Sequence, residues 1–376
     1  MKFVLVGTAY PHRGGIAHYV ALLSDGLRAA GHEVKVISFS RQYPRLLFPG
    51  TSQDEEGPET IRVDSERLVD SIGPVSWFRA ARRIREIRPD LVVFKYWMPL
   101  FAPAYGTIAR RLRKAGIRTC FLLDNVLPHE RRPGDLALTR WGLAPVDCFI
   151  AQSKSVAADL RRFRPDAPLE EVPHPIYSLF GERMDRDEAR RRLGVTAREV
   201  ALFFGFIRGY KGLMNLFRAV ARIPRDRDFQ LLVGGEFYED ARPYRALLEE
   251  LDLGTRVVLH DRYIPTDEVA AFFSAADVVV LPYVSATQSG IIQIAFHFDR
   301  PVVTTDVGGL PEVVRPGELG EVVPPEDPAA LAAALVEYFD RGKEALYAPR
   351  VAKEKGRYSW SRLVEVLEGF ARGEGA

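Results

Sequence analysis

The chain contains few cysteines and no long apolar run, and both shortages restrict its class. Only two of its 376 residues are cysteine, Cys120 and Cys148, and each lies inside an apolar stretch. Two cysteines without a C-x-x-C spacing exclude a disulfide framework and a cysteine zinc site, so we expect both thiols to be buried. No apolar run approaches the ~20 residues that cross a bilayer, and Gly7 interrupts the apolar start too early for a signal peptide. The sequence predicts a cytoplasmic protein, with peripheral attachment to the inner face of the membrane as the alternative.

An excess of charge of either sign is also missing. The chain has 52 Lys and Arg against 50 Asp and Glu, a formal net charge of +2. Such a balance provides no general field that would hold nucleic acid, so we expect no nucleic-acid partner. Hydrophobic residues make up 47% of the chain, which excludes wholesale disorder, and the length suits two domains.

Strand and helix patterns alternate along the chain. An apolar strand at 3–6, a glycine loop, a helix over 16–30 and a strand at 34–37 form one βαβ unit, and a second series begins with the strand 199–204. We therefore predict an α/β protein with two Rossmann-like, doubly wound domains that face each other across a cleft. The predicted parts are an N-terminal acceptor domain at 1–170, a proline-containing linker at 171–197, a C-terminal nucleotide domain at 198–355 and a helical segment at 356–376 that returns to the N-terminal domain.

The first glycine-rich loop runs from Gly7 to Gly15. It is longer than the dinucleotide fingerprint, and no acidic residue for a ribose follows the second strand, so a nicotinamide-dependent dehydrogenase is disfavoured. Gly14 and Gly15 precede a helix, whose unpaired first-turn amides and positive dipole end suit an anion. From the residues alone, an anion site and an ordinary turn fit this loop equally well.

The second glycine-rich loop, Gly205 to Gly212, carries two cations. Arg208 and Lys211 stand three residues apart after a buried strand, and a guanidinium fork together with a mobile ammonium can converge on one diphosphate. Ser289 and Gly290 open another helix directly after the strand 277–281 and offer a second set of free amides. A solvated loop with incidental charges is the alternative.

These motifs, with the segment Pro301 to Glu312 and the closing Tyr358-Ser359-Trp360, resemble those of the GT-B retaining glycosyltransferases of family 4, also called group 1. The resemblance covers almost the whole chain. It implies metal-independent transfer, with retention, of a sugar from a UDP- or GDP-linked donor to a hydroxyl of a sugar or lipid-linked acceptor. It implies no cofactor besides the donor substrate, and it suggests a role in cell-surface glycan or glycolipid synthesis.

The resemblance also implies roles for particular residues. The donor diphosphate is expected between Arg208 and Lys211 on one side and the start of the later helix on the other. The other residues expected at the donor are Gly14 and Gly15 for its phosphate or sugar, Gln288, Ser289, Gly290 and Ile291 at the helix start, and Arg262, Tyr263 and Ile264 at the nucleobase.

Several positions depart from the family pattern. The two glutamates of the family's E-x7-E motif correspond to Ala286 and Ile294, and Phe206 stands where an arginine is usual. These departures leave recognition of the ribose and the sugar to Gln288, to Gln293 or to main-chain groups.

The acceptor side is expected in the loop that follows the strand 118–123. Asp124 stands where the family often carries a histidine, and its carboxylate is a candidate general base for an acceptor hydroxyl. A structural aspartate that caps the turn fits equally well. His129 and Glu130 form a second polar pair in this loop, for which a packed, neutral histidine is the favoured interpretation.

Two further patterns have a plain and a functional interpretation. The D-x-D strings at 185–187 and 226–228 carry an arginine between their acids, and solvated turns are favoured over a metal site. The arginine-rich stretches at 76–88 and 110–114 fit ordinary amphipathic helices, with docking on anionic lipid as the alternative.

A glycosyltransferase is therefore the predicted function, and two others stay open. One is a nucleotide-sugar isomerase of the same fold, which needs no acceptor. The other is a non-catalytic subunit that binds a nucleotide sugar, which the missing carboxylates favour.

Overall fold

A computed structural model describes residues 1–44, 53–54, 63–128 and 132–374. The chain forms two compact units. Unit 1 comprises Met1–Pro175 with Tyr358–Ala376, and unit 2 comprises Ile176–Arg357.

Unit 1 is built on a parallel sheet of seven strands among its described residues. The strands pair in the order β3-β2-β1-β4-β5-β6-β7, where they are β1 (Lys2–Val6), β2 (Glu33–Arg41), β3 (Ser65–Asp70), β4 (Leu91–Tyr96), β5 (Thr119–Leu123), β6 (Cys148–Ala151) and β7 (Leu169–Glu171). The helices that connect them are α1 (Gly15–Ala29), α2 (Pro74–Ile87), α3 (Ala102–Arg113), α4 (Asp135–Leu143) and α5 (Lys154–Arg161).

The central strands of unit 1 are apolar along their length because both faces of the sheet are covered. β4 and β5 are buried at every position, and α2 packs against α3, which packs against α4. Aromatic rings fill much of the space between sheet and helices, including Phe94, Phe101, Tyr105 and Phe121. Cys120 and Cys148 are free and buried on adjacent strands, as predicted.

Unit 2 repeats the design with a six-stranded parallel sheet, in the order β10-β9-β8-β11-β12-β13. Its strands are β8 (Glu199–Phe204), β9 (Phe229–Gly234), β10 (Val257–His260), β11 (Val278–Leu281), β12 (Val302–Thr305) and β13 (Gly320–Val323). Its helices are α6 (Arg186–Leu193), α7 (Leu213–Val220), α8 (Arg242–Glu250), α9 (Val269–Ala275), α10 (Gly290–His297), α11 (Leu310–Val314), α12 (Pro328–Asp340) and α13 (Lys343–Glu354). The last helix of the chain, α14 (Trp360–Arg372), packs against α1 of unit 1.

The predicted fold class, two Rossmann-like parallel α/β domains, is confirmed. The strand order reverses at β1/β4 in unit 1 and at β8/β11 in unit 2. In open parallel sheets, ligands bind beside the carboxyl ends of the strands at such a reversal. The first glycine loop follows β1 and the cationic loop follows β8, so both predicted loops lie at these points.

The segment 171–197, predicted as an extended linker, contains the helix α6. This helix packs against α9, and Arg190 places its guanidinium 2.9 Å from a carboxylate oxygen of Asp277. The helix therefore depends on partners more than 80 residues away in sequence, which periodicity along the segment does not reveal. Within the described residues, no helix is both long and apolar enough to span a bilayer.

Candidate active site

Three loops meet beside the carboxyl ends of β8, β11 and β12 in unit 2. They are close enough that glycine is required at two positions. A Cβ at Gly212 would lie 1.9 Å from the carbonyl oxygen of Pro282, and one at Gly308 would lie 1.8 Å from that of Ala286. Both glycines also have positive φ, +71° and +52°, which other residues adopt only with strain. The loop at 205–212 is thereby held directly against the loop that leads into α10.

Lys211 and the start of α10 converge on Gly205. A Cβ at Gly205 would be 3.3 Å from both the Lys211 ammonium and the Ile291 side chain. Ser289 caps α10, because its hydroxyl accepts a hydrogen bond from the amide of Ile291 at 3.3 Å. The ammonium of Lys211 therefore lies close to the positive end of a helix.

Arg208 adds a second positive charge to this loop. Its guanidinium lies 5.4 Å from the ring centroid of Tyr238, and the ammonium of Lys211 lies 5.8 Å from that of Tyr283. Within the described residues, neither cation forms a salt bridge with a carboxylate. Burial, and then the neighbouring charge of Arg208, lower the pKa of Lys211 to about 8. Two cations and a helix start that have no anionic partner in the described parts of the chain form a site suited to a bound anion.

Two glutamine side chains beside this anion site have unused acceptors. The Oε1 atoms of Gln288 and Gln293 are buried and accept no hydrogen bond from the described residues. A buried polar atom without a partner is costly, so these two oxygens are candidates for accepting hydrogen bonds from a ligand. They belong to the residues to which the sequence assigned ribose and sugar recognition.

The predicted nucleobase residues lie in the loop after β10. Arg262 is ion-paired with Glu268, Ile264 is buried, and the Tyr263 ring lies parallel to Phe206 at 6.3 Å between centroids. Phe206 also stacks on Tyr238 at 4.1 Å. Phe206, which stands where the family usually has an arginine, thus joins the loops after β8, β9 and β10 in one aromatic stack.

Tyr238 and Glu239, which the sequence analysis did not single out, contact the cationic loop. Glu239 accepts a hydrogen bond from the amide of Gly209 at 2.9 Å and another from the Tyr244 hydroxyl. Glu239 and Tyr238 follow the carboxyl end of β9, which pairs with β8. Their position after a strand neighbouring the cationic loop is the signal that could have indicated them.

In unit 1, Gly14 and Gly15 lie at the start of α1 in the loop after β1. Gly14 has φ 104° and ψ 173°, a conformation that favours glycine, and Gly15 is exposed at the first position of the helix. Main-chain and side-chain bonds fix the loop. His12 contacts the carbonyl oxygen of Phe39 at 3.1 Å and Asp54 at 3.0 Å.

Asp124 lies at the end of β5 but is not an open carboxylate. It forms an ion pair with Lys95 at 2.5 Å, and the same ammonium donates to Gln152 at 3.2 Å. Both charged side chains are almost fully buried, at 10% and 4% exposure. Burial raises the pKa of Asp124 and lowers that of Lys95 to about 8, while their mutual attraction opposes both shifts.

The Lys95 pair is part of a larger polar network in unit 1. Gln152 donates to the hydroxyl of Tyr19 at 2.8 Å, and the Lys95 ammonium lies 3.5 Å over the Tyr19 ring. The edge of the same ring contacts His174, whose pKa is lowered to about 3 by burial and by the charge of Lys95. A lysine within the otherwise apolar strand β4 was the available signal for this network.

The remaining sequence-based candidates are placed as follows. Asp185 caps α6 by accepting from the amide of Glu188 at 2.9 Å, and Arg227 pairs with Glu199 and Asp340. Across the described ranges, no three His, Cys, Asp or Glu side chains come together as a metal-holding group. His129 and Glu130 lie outside the described residues.

Comparison with known proteins agrees with this geometry. Residues 14–175 match the family described as "Glycosyl transferase 4-like domain", and residues 198–341 match "Glycosyl transferases group 1". The chain is 30% identical to the D-inositol 3-phosphate glycosyltransferase of Acidothermus cellulolyticus, over 96% of this chain and 85% of that protein. With the same-named proteins of three Corynebacterium species, the match spans only 48% to 55% of their length.

Solved structures show the same fold. Sucrose-phosphate synthase from Thermosynechococcus elongatus superposes with a TM-score of 0.75 at 22% identity, covering 99% of each chain. Anabaena Alr3699/HepE in complex with UDP-glucose superposes with a TM-score of 0.74 at 17% identity, again over 99% of each chain. This likeness identifies the fold as GT-B. The Acidothermus cellulolyticus relative, which matches over most of its length, shows the family: the chain belongs to the group 1 glycosyltransferases.

Proposed function

We propose that this protein transfers a sugar from a nucleoside-diphosphate sugar to an acceptor hydroxyl, with retention at the anomeric carbon and without a metal ion. The observation that carries the proposal is the pair Arg208 and Lys211, two cations without a carboxylate partner in the described chain, beside the start of α10. A departing nucleoside diphosphate brings the negative charge that this arrangement lacks.

The charge distribution suits the leaving group better than the intact donor. Negative charge on the diphosphate grows as the glycosidic bond breaks, and preorganised cations and amides stabilise growing charge most strongly where water is excluded. Lys211 has a pKa of about 8 in the free protein, and a nearby anion raises the pKa of an ammonium. Binding the diphosphate therefore strengthens the charge that stabilises it.

We assign the remaining donor contacts to residues around the anion site. The Oε1 atoms of Gln288 and Gln293 accept hydrogen bonds from hydroxyl groups of the ribose or of the transferred sugar. The loop at 262–264 meets the nucleobase. The complex of Anabaena Alr3699/HepE with UDP-glucose supports a uridine donor as the first to be tested, with a guanosine donor next.

The acceptor is a sugar or a lipid-linked hydroxyl bound at unit 1. Asp124 is our candidate for the acceptor-side carboxylate, since it follows β5 at the carboxyl edge of the sheet. Lys95 favours the ionised form of this carboxyl by pairing with it, which opposes the rise in pKa that burial causes. An ionised carboxylate can accept a hydrogen bond from an acceptor hydroxyl and thus orient it.

The test is a panel of UDP- and GDP-sugars, assayed with and without acceptor sugars and lipid-linked acceptors, in the presence of a chelator. Glycoside formation with release of nucleoside diphosphate supports the proposal. Conversion of the donor alone into a second stable nucleotide sugar would indicate an isomerase. Tight nucleotide binding without turnover of any donor would indicate a binding subunit.

A further inference from the structure

Exposed large hydrophobic side chains are concentrated on one part of unit 1. Eight such side chains are exposed among the described residues, and six of them lie on α2, on α4 or on the turn before α2. They are Ile72, Val75, Phe78, Leu136, Leu138 and Trp141, with exposures between 37% and 65%. An ordinary amphipathic helix exposes its polar face and buries such residues. We therefore expect another surface to cover this cluster.

The helix α3 joins the two apolar groups into one continuous surface. The guanidinium of Arg111 lies 4.7 Å from the ring centroid of Phe78 on α2, and that of Arg110 lies 3.8 Å from the Trp141 ring on α4. We call the outer face of α2, α3 and α4 the basic-apolar face. Its cations are interleaved with its exposed rings.

The charge of this face is strongly one-sided, although that of the whole chain is balanced. α2 carries four arginines, α3 three and α4 one, against two acidic residues, Glu86 and Asp135. Glu86 already lies within 3.5 Å of Arg82 and 3.7 Å of Arg83, and Arg83 also pairs with Glu66 of β3 at 2.8 Å. Arg82 and Arg85 are exposed on α2, as Val75 is, and Lys114 adds an exposed positive charge at the end of α3.

We propose that the basic-apolar face docks on the surface of an anionic lipid membrane. Arginines stacked on aromatic rings suit the headgroup region, where cations meet lipid phosphates and tryptophan is favoured. Val75, Leu136 and Leu138 then reach the boundary with the acyl chains. Nucleic acid would use the cations but would gain little from exposed aliphatic side chains. A second copy of this chain would bring the same positive charges together.

The first experiment measures binding of the full chain to vesicles by sedimentation. We expect binding to phosphatidylglycerol-containing vesicles, weak binding to pure phosphatidylcholine, and loss of affinity as salt is added. The triple variant Arg82→Gln, Arg85→Gln and Lys114→Gln should weaken binding about 100-fold, at about fivefold for each cation removed. The matched control Arg191→Gln, Arg192→Gln and Lys353→Gln removes the same charges from exposed sites of unit 2 and should bind like the unmodified protein.

The second experiment uses Trp141, one of four tryptophans in the chain, as a reporter. Anionic vesicles should shift the fluorescence to shorter wavelength, and the Trp141→Phe variant should still bind but lose most of this shift. Equal binding to both vesicle types would overturn the proposal, as would equal loss in the two triple variants. A concentration-dependent dimer through this face without lipid, or preferential capture of RNA, would also overturn it.

Discussion

Replacing Lys211 by methionine should stabilise the free protein while abolishing most of its activity. Methionine keeps an unbranched apolar stem but removes the charge, so the packing over Gly205 changes little. Lys211 lies near Arg208 and the start of α10, and no acidic side chain among the described residues pairs with it. The folded protein therefore holds this charge at a cost that it recovers only when an anion binds.

The pKa of Lys211 sets the size of that cost. Its ordinary value of 10.5 applies to the unfolded chain, and the folded value is about 8. Below pH 8 both states are charged and the folded state carries the full cost, whereas above pH 10.5 neither is charged and the cost vanishes. At 1.36 kcal/mol for each pKa unit, Lys211→Met should stabilise the protein at pH 7 by up to about 3 kcal/mol. The gain should shrink as the pH rises through this window.

Urea unfolding across pH 7 to pH 10, paired with a transfer assay, measures both effects. Turnover should fall by a factor of ~100–1000, the usual cost of removing one preorganised donor. Lys353→Met is the control, because Lys353 is exposed, and it should change neither stability nor turnover. A Lys211→Met variant that is less stable than the unmodified protein, yet transfers sugar normally, would refute the reasoning.

Three further predictions concern the contacts of Arg208, Gln288 and Lys95. The variant Arg208→Ala should cost ~2.7–4 kcal/mol in transition-state stabilisation, and the double variant with Lys211→Ala should lose less than the sum, as a double-mutant cycle would show. Gln288→Leu should leave the free protein at least as stable, because its Oε1 accepts no hydrogen bond from the described residues. It should raise the donor KM about 2- to 10-fold, the worth of one hydrogen bond; an unchanged KM would remove this residue from the donor contacts. Lys95→Met should destabilise unit 1 by about 3–5 kcal/mol because it removes the ion-pair partner of the buried Asp124, and adding Asp124→Asn should restore part of the loss in thermal unfolding.

The features that could be predicted from the sequence are those determined by residues close together in the chain. The strands and the loops after β1 and β8 can be read from runs of apolar residues that end in glycine, because both depend on neighbours in sequence. The motif after β11 likewise indicates the start of α10, whose cap is Ser289 itself.

The parts that sequence reasoning missed depend on distant partners. The helix α6 lies in a proline-containing segment and is held by arginine pairs to Asp277. The ion pair of Lys95 with Asp124 joins adjacent strands 29 residues apart, and nothing near Asp124 in sequence reveals it. The aromatic stack on Phe206 depends on Tyr238 and Tyr263, each from a different loop. Such pairings arise only when the sheet orders its strands.

The most direct test of the central claim is proton uptake when UDP binds at pH 8 with a chelator present. If the diphosphate sits at Lys211, its charge raises the pKa of an ammonium that is about half deprotonated at this pH. Calorimetric titrations in buffers of different ionisation enthalpy should then show uptake of about half a proton, and Lys211→Met should abolish it. Tight binding without proton uptake, or equal uptake by the variant, would contradict the account.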